Sequence, residues 1–174
     1  SALGRNGINV RAIAQGSSEY NISVIINKDD LSKAVNAVHD AFFTDLKRTL
    51  NIFCLGTGNI GKTLFNQLKE QMPFLAENND LQVKVAGICN TRKMIFNAEG
   101  LSLEDWENEL NNHGEKANLA GFVEKMKALN LPNAVFVDNT ASEAPISFYQ
   151  GIFESSISVV TCNKKGNSAD YAQY

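Results

Sequence analysis

No apolar run in this 174-residue sequence approaches the roughly 20 residues that a membrane-spanning helix needs. No secretory leader is visible either. Cysteine is scarce. Cys54, Cys89 and Cys162 are an odd number with no Cys-x-x-Cys spacing. That argues against a disulfide framework or a zinc site, and for buried, reduced thiols in a cytosolic protein. Neither sign of charge dominates. A formal net charge of −3 gives no electrostatic reason to expect nucleic acid or an anionic membrane as partner. Internal repeats and low-complexity segments are also missing. There is no initiating methionine: the sequence opens in what reads as the end of a helix (Ser1-Ala2-Leu3) and closes in what reads as the inside of another (Asp170-Tyr171-Ala172-Gln173-Tyr174). A piece of a longer polypeptide is expected. What is present is 44% hydrophobic and 20% charged, ordinary for a soluble globular protein. The length suffices for one good core, or one small domain plus part of another.

The stretch Leu50-Asn51-Ile52-Phe53-Cys54-Leu55-Gly56-Thr57-Gly58-Asn59-Ile60-Gly61-Lys62-Thr63 organises the rest. It reads as a buried strand, a glycine turn and the start of a helix. Such a turn brings backbone N–H groups and a helix N-terminus up to a phosphate. Two motifs overlap in it. Gly56-x-Gly58-x-x-Gly61 is the dinucleotide fingerprint, and Gly56-xxxx-Gly61-Lys62-Thr63 satisfies the P-loop pattern of a nucleotide triphosphate site.

Before this stretch, residues 9–16 and 20–27 alternate like strands, with Ser17-Ser18-Glu19 as the turn of an antiparallel hairpin. Asp29 or Asp30 can cap a helix in which Leu31, Ala34, Val35, Val38, Ala41 and Phe42 recur on one face. Residues 1–48 therefore read as β-β-α, part of a small α+β module, and residues 44–49 as the linker. From residue 49 the pattern becomes α/β. Strands are expected at 50–55, 82–89, 134–138 and 157–161. Helices are expected from Ile60 to an end at Pro73, from the capping box at Ser102 through Leu110, from Leu119 through Leu129 to an end at Pro132, and over 143–154 with Pro145 in the first turn. Residues 76–80 read as polar loop, and Asn90-Thr91-Arg92-Lys93 as the close of the second strand. Strands alternating with helices imply a Rossmann-like parallel sheet with helices on both faces.

A lone Gly-x-Gly-x-x-Gly is weak evidence, but here it follows a strand, opens a helix and continues β-α-β. The bland alternative, a glycine turn used only for packing, would waste three glycines in register. For the P-loop stands Asp138, which ends an apolar strand as a Walker-B aspartate would. Against it stands Ile60, expected to pack on the sheet at the head of a stripe with Leu64 and Leu68. Lys62 then falls on the solvent face. The stripe favours the dinucleotide reading and leaves the P-loop as the alternative. An acidic residue after the second strand would hold the ribose of NAD. This chain has Asn90 there, with Arg92 and Lys93 close by, which suits the 2′-phosphate of NADP if these are not merely solvated loop charges.

Four stretches together resemble one family. Gly7-Ile8-Asn9-Val10-Arg11-Ala12-Ile13-Ala14-Gln15-Gly16-Ser17-Ser18-Glu19 resembles the second regulatory ACT module of bifunctional aspartokinase–homoserine dehydrogenases. Leu55-Gly56-Thr57-Gly58-Asn59-Ile60-Gly61 resembles their dehydrogenase fingerprint. Val137-Asp138-Asn139-Thr140-Ala141-Ser142 and Val159-Val160-Thr161-Cys162-Asn163-Lys164-Lys165 resemble the two later cofactor-side loops, with Cys162 where the family usually has proline. The resemblance implies NAD(P)-dependent interconversion of L-homoserine and L-aspartate 4-semialdehyde, with NADP or NAD as cofactor. It implies that Gly56, Gly58, Asn59, Ile60 and Gly61 cradle the pyrophosphate. Thr140 and Ser142 would border the cofactor near its nicotinamide end, and Lys164 would lie beside nicotinamide and substrate. A lysine there can stabilise charge on the substrate oxygen or relay a proton. Gln15 matches an effector position. The resemblance also implies an aspartokinase domain before Ser1. A substrate and dimerisation domain carrying the principal catalytic lysine and aspartate would follow Tyr174, so the fragment alone is expected to bind cofactor without turning over homoserine. ACT modules generally pair, so a homo-oligomer is expected.

Overall fold

The computed structural model describes residues 2–16, 21–43 and 48–168. The chain divides into two units, residues 1–46 and 47–174. The split falls inside the expected linker, and the first strand of the second unit starts within it, at Arg48.

In the first unit, helix α1 (Ala2–Arg5) is followed by strands β1 (Ala12–Gln15) and β2 (Ile22–Ile25), which pair antiparallel with Gln15 opposite Ile22. Helix α2 (Leu31–Phe43) completes it. The β-β-α order is as expected, with strands shorter than their alternating patterns. The Ser17-Ser18-Glu19 turn lies outside the described residues. The helix forms as expected, and most of its apolar stripe is exposed. Its buried residues are Ala34 and Ala37, which pack with Leu3 and Ile8, whereas Leu31, Val35, Val38 and Phe42 are exposed. Val10 and Ile26, partly buried, pack against the same cluster.

The second unit is a six-stranded sheet. Its elements are β3 (Arg48–Leu55), α3 (Asn59–Asn78), β4 (Leu81–Cys89), β5 (Lys93–Phe96), α4 (Trp106–His113), β6 (Glu115–Lys116), α5 (Leu119–Leu129), β7 (Ala134–Asp138), α6 (Ile146–Glu154), β8 (Ser158–Thr161) and the short α7 (Lys164–Asn167). The order across the sheet is β6-β5-β4-β3-β7-β8. The four strands β4, β3, β7 and β8 are parallel, while β5 and β6 pair antiparallel at one edge. Alternation along β3 feeds two cores, because successive side chains point to opposite faces. Phe53 and Leu55 join Phe122, Met126, Phe136 and Ile152 on one face. Ile52 and Cys54 join Phe65, Leu110 and Val137 on the other. Strand β3 has β4 on one side and β7 on the other, so the chain reverses its direction across the sheet there. The crevice at the carboxyl ends of β3 and β7 is where such sheets bind ligands.

Four local expectations need correcting. Ile60 does not head the helix stripe: it is 54% exposed, and Gly61 and Phe65 are buried instead, with Leu64, Leu68, Met72 and Leu75 partly buried behind them. Helix α3 does not stop at Pro73 but continues to Asn78, taking in most of the expected 76–80 loop. Beyond the proline, Leu75 keeps its place on the core and Asn79 N–H bonds the Leu75 carbonyl at 3.1 Å. Finally, Lys93 does not close β4. It opens β5, an antiparallel strand that the sequence pattern did not suggest. In addition, Pro145 occupies the N-cap of α6 rather than its first turn.

Candidate functional site

The turn after β3 is built on two glycines that tolerate no side chain. Gly56 has φ +95°, a conformation that glycine alone adopts readily. A Cβ there would also meet the Asn139 backbone and the Thr140 methyl at 3.1 Å. On Gly61, a Cβ would lie 2.2 Å from the Gly56 carbonyl oxygen. The start of α3 is therefore held directly against the turn. Gly58 differs: it is the N-cap of α3 in an extended conformation, and a Cβ on it meets nothing within 4 Å. Its open side fits a ligand that must touch the backbone. The first-turn amides of Asn59, Ile60 and Gly61 have no partner within the helix, and the dipole of a 20-residue helix favours negative charge there. A phosphate diester meets both needs.

Two hollows adjoin this turn. A cavity of about 650 Å³ is lined by Gly56, Thr57 and Gly58, by residues 89–92 after β4, and by Thr140, Ser142 and Pro145. A groove of about 420 Å³ is lined by Asn59, Ile60, Thr63, Leu64 and Gln67 of α3, with Val137, Val160 and Cys162. Asn139 borders both. The loop after β4 is folded by the Asn90 side chain, whose Oδ1 accepts from the Arg92 and Lys93 amides at 2.8 Å each. That turn reverses the chain into β5 and leaves Arg92 exposed at the rim.

Beneath the two later loops lies a buried carboxylate. Asp138, fully buried at the end of β7, accepts from Thr140 N–H at 2.8 Å, Tyr149 Oη at 2.6 Å and Asn163 Nδ2 at 3.1 Å. Burial, with the Asp138 hydrogen bond adding to it, pushes the Tyr149 phenol up to about 12. Asn163, itself 1% exposed, also donates to the Ser142 carbonyl at 2.6 Å and caps α7 by accepting from Lys165 N–H at 3.2 Å. Glu143 and Lys165 pair across the same two loops at 2.8 Å, and that lysine holds the Glu143 carboxyl below its usual range.

Comparison with known proteins decides the family. Residues 56–174 match the family model described as homoserine dehydrogenase, NAD binding domain, which covers most of the chain. The chain belongs to that family. Residues 1–42 match the ACT domain model. The bifunctional aspartokinase/homoserine dehydrogenase 1 of Zea mays is 41% identical over 174 residues, 99% of this chain and 19% of its own length. The Haemophilus influenzae bifunctional enzyme is 36% identical over 174 residues, 100% of this chain and 21% of its own. The chain thus spans about one fifth of these curated relatives. Among solved structures, the homoserine dehydrogenase of Thermoplasma acidophilum superposes with a TM-score of 0.57 at 22% identity, over 72% of this chain and 39% of that one. A hyperthermophilic archaeal homoserine dehydrogenase mutant in complex with NADPH gives the same TM-score at 23% identity. At these identities the structures share the fold.

Within this homoserine dehydrogenase NAD-binding domain, the residues singled out from sequence do not fall in one place. Gly56, Gly58, Arg92, Thr140 and Ser142 line the larger cavity together. Asn59 and Ile60 line the groove on the other side of Asn139. Gly61 is buried in the contact with Gly56. Lys164 is exposed in α7 and lines neither hollow. Gln15 is exposed at the end of β1, in the other unit. Lys62, the P-loop candidate, points to solvent and pairs with Glu107 at 2.5 Å; Thr63 bonds back to the Asn59 carbonyl at 2.9 Å. Asp138 is used up by internal donors rather than facing a metal. Sequence reasoning missed Tyr149 and Asn163 as partners of Asp138. A tyrosine 11 residues and an asparagine 25 residues beyond an aspartate give no local signal. Cys54 and Cys89 are buried as expected, and burial pushes their thiols up to about 12 and about 11, while Cys162 is exposed.

Proposed function

We propose that residues 48–168 form the cofactor half of an NAD(P)-dependent homoserine dehydrogenase, within a bifunctional aspartokinase–homoserine dehydrogenase. The observation that carries the reading is the fused turn: Gly61 locked on Gly56, Gly58 open, and free helix amides between two hollows. Gly58, Asn59, Ile60 and Gly61 hold the pyrophosphate through backbone N–H groups. The larger cavity takes the adenosine beside Arg92, the partner for a 2′-phosphate, and runs to Thr140 and Ser142, which border the cofactor near its nicotinamide end. A guanidinium suits a phosphate by charge and by its fork of donors. The groove takes the nicotinamide, and exposed Ile60 is its apolar wall. That assignment explains why a large aliphatic side chain faces outward at the site. The bound dinucleotide supplies the hydride chemistry. Lys164, held at the start of α7 by the Asn163 cap, supplies a cation beside the groove to stabilise charge on a substrate oxygen.

Two further roles belong to the same proposal. Gln15 serves an amino-acid effector in the first unit. Association of chains in a homo-oligomer covers the apolar residues exposed there, among them Ile13, Ile22, Val35 and Phe42. Calorimetric titration tests the main reading. NADPH is expected to bind the chain and Mg-ATP is not; ATP binding abolished by Lys62→Ala, without NADPH binding, would replace it with the P-loop reading.

A further inference from the structure

We propose that Tyr149 and Asn163 are positioning residues that act through the buried Asp138 carboxylate to hold both walls of the cofactor crevice in one arrangement. The proposal rests on the cofactor reading above. Asp138 receives one donor from each of three elements: the Thr140 amide from the loop after β7, the Tyr149 hydroxyl from α6, and the Asn163 side chain from the loop after β8. The loop after β7 contributes Thr140 and Ser142 to the larger cavity, and the end of β8 and the loop after it contribute Thr161 and Cys162 to the groove. The carboxylate is thus shared by the two sides.

The sharing is tight. One Asn163 side chain donates both to Asp138 and to the Ser142 carbonyl, so the two loops cannot separate without breaking its bonds. Thr161 closes the circuit: its Oγ1 lies 3.2 Å from the Tyr149 hydroxyl, donates to the Asp138 carbonyl at 3.2 Å and accepts from Asn163 N–H at 2.9 Å. Every described polar side-chain atom that is fully buried has a partner. A buried network satisfied throughout fixes one geometry, because any partial arrangement strands a polar group away from water. Hydrogen bonds to an ionised group are also about twice as strong as neutral ones. Neither Tyr149 nor Asn163 lines either hollow, so their effect on a ligand passes through the loops that they hold.

Tyr149→Phe removes the hydroxyl and keeps the ring against Phe136. Two readouts separate this proposal from the cofactor reading. In the free chain, amide hydrogen exchange at Thr140 and Lys165 should both accelerate at least tenfold in Tyr149→Phe and in Asn163→Ala. Exchange in β3 should be unchanged. Titration of the same variants with NADPH should show a Kd raised about tenfold, at a temperature well below melting. Gln150→Ala, on the exposed face of α6 where it pairs with Glu154, should match the unaltered chain in both. Unchanged exchange at Thr140 and Lys165, or unchanged NADPH affinity with only a lower melting temperature, would reduce the network to a structural brace and overturn the proposal. Failure of the unaltered chain to bind NADPH would defeat the cofactor reading instead, and the exchange result would still decide whether Asp138 ties the loops.

Discussion

Adding one methyl group to each of two glycines in the turn should separate packing from binding. In Gly61→Ala the new Cβ starts 2.2 Å from the Gly56 carbonyl oxygen, where ordinary contact is about 3.4 Å. The obstacle is backbone, so no side-chain rotation relieves it. Helix α3 and the turn must part by more than 1 Å. Overpacking of this kind costs about 1–3 kcal/mol. Alanine's better helix propensity recovers up to about 1 kcal/mol of that in a helix interior, and less in the first turn. A net loss of about 1–2 kcal/mol is expected in urea denaturation of the second unit, together with loss of NADPH affinity as the amides move. Gly58→Ala is the converse. Its φ of −72° and ψ of −161° suit alanine, and nothing lies within 4 Å of the new carbon. Stability should stay within about 0.5 kcal/mol, while the methyl occupies the open side where a phosphate must approach. NADPH affinity should fall at least tenfold. Wild-type stability for Gly61→Ala would mean that the helix and the turn are not in contact there, and wild-type affinity for Gly58→Ala that no phosphate approaches its open side.

Other consequences can be checked more simply. Arg92→Ala should weaken NADPH binding about tenfold and leave NADH nearly unchanged; equal loss of both would remove Arg92 from the 2′-phosphate. Lys62→Ala should leave NADPH affinity within twofold and stability within about 0.5 kcal/mol, because its ion pair with Glu107 is half exposed. Stability should decline as pH rises above about 9. The thiols of Cys54 and Cys89 stay protonated up to about 12 and about 11 in the folded chain, so the unfolded chain releases protons first and gains from alkali. Tyr149 adds to the decline between about 10 and 12; a stability plateau through pH 11 would contradict this. Iodoacetamide at neutral pH should label Cys162 in the native protein, and all three cysteines only after denaturation.

Much of the second unit was legible because its central strands β3, β4 and β7 are buried on both faces. Strand β7 (Ala134–Asp138) matches its sequence pattern end to end, and helix α5 (Leu119–Leu129) spans its apolar stripe and stops just short of Pro132, since an apolar run and a 3.6-residue stripe each have one good burial. The failures have local causes. Ile60 misled because a glycine can occupy a stripe position: Gly61 takes the innermost place, and the helix turns by one residue. Strand β5 was hidden because Asn90 uses its side chain to reverse the chain within three residues, which in sequence looks the same as a strand ending. The fingerprint glycines were readable as a turn between a strand and a helix, and Arg92 as an exposed cation after the next strand. What could not be read was the division of the site, with Thr140 and Ser142 beside Arg92 and Ile60 across Asn139. Nor could the Asp138 network be read, since its partners meet only once the sheet has formed.

On the proposed function, the turn at Gly56, Gly58 and Gly61 holds a dinucleotide across two hollows. A crystal structure of the chain grown with NADPH tests it most directly. The pyrophosphate is expected over the amides of Asn59, Ile60 and Gly61, with the adenosine beside Arg92 and the nicotinamide against Ile60. A nucleotide bound with its phosphates on Lys62 and Thr63, or a dinucleotide seated away from Gly58, would contradict the account.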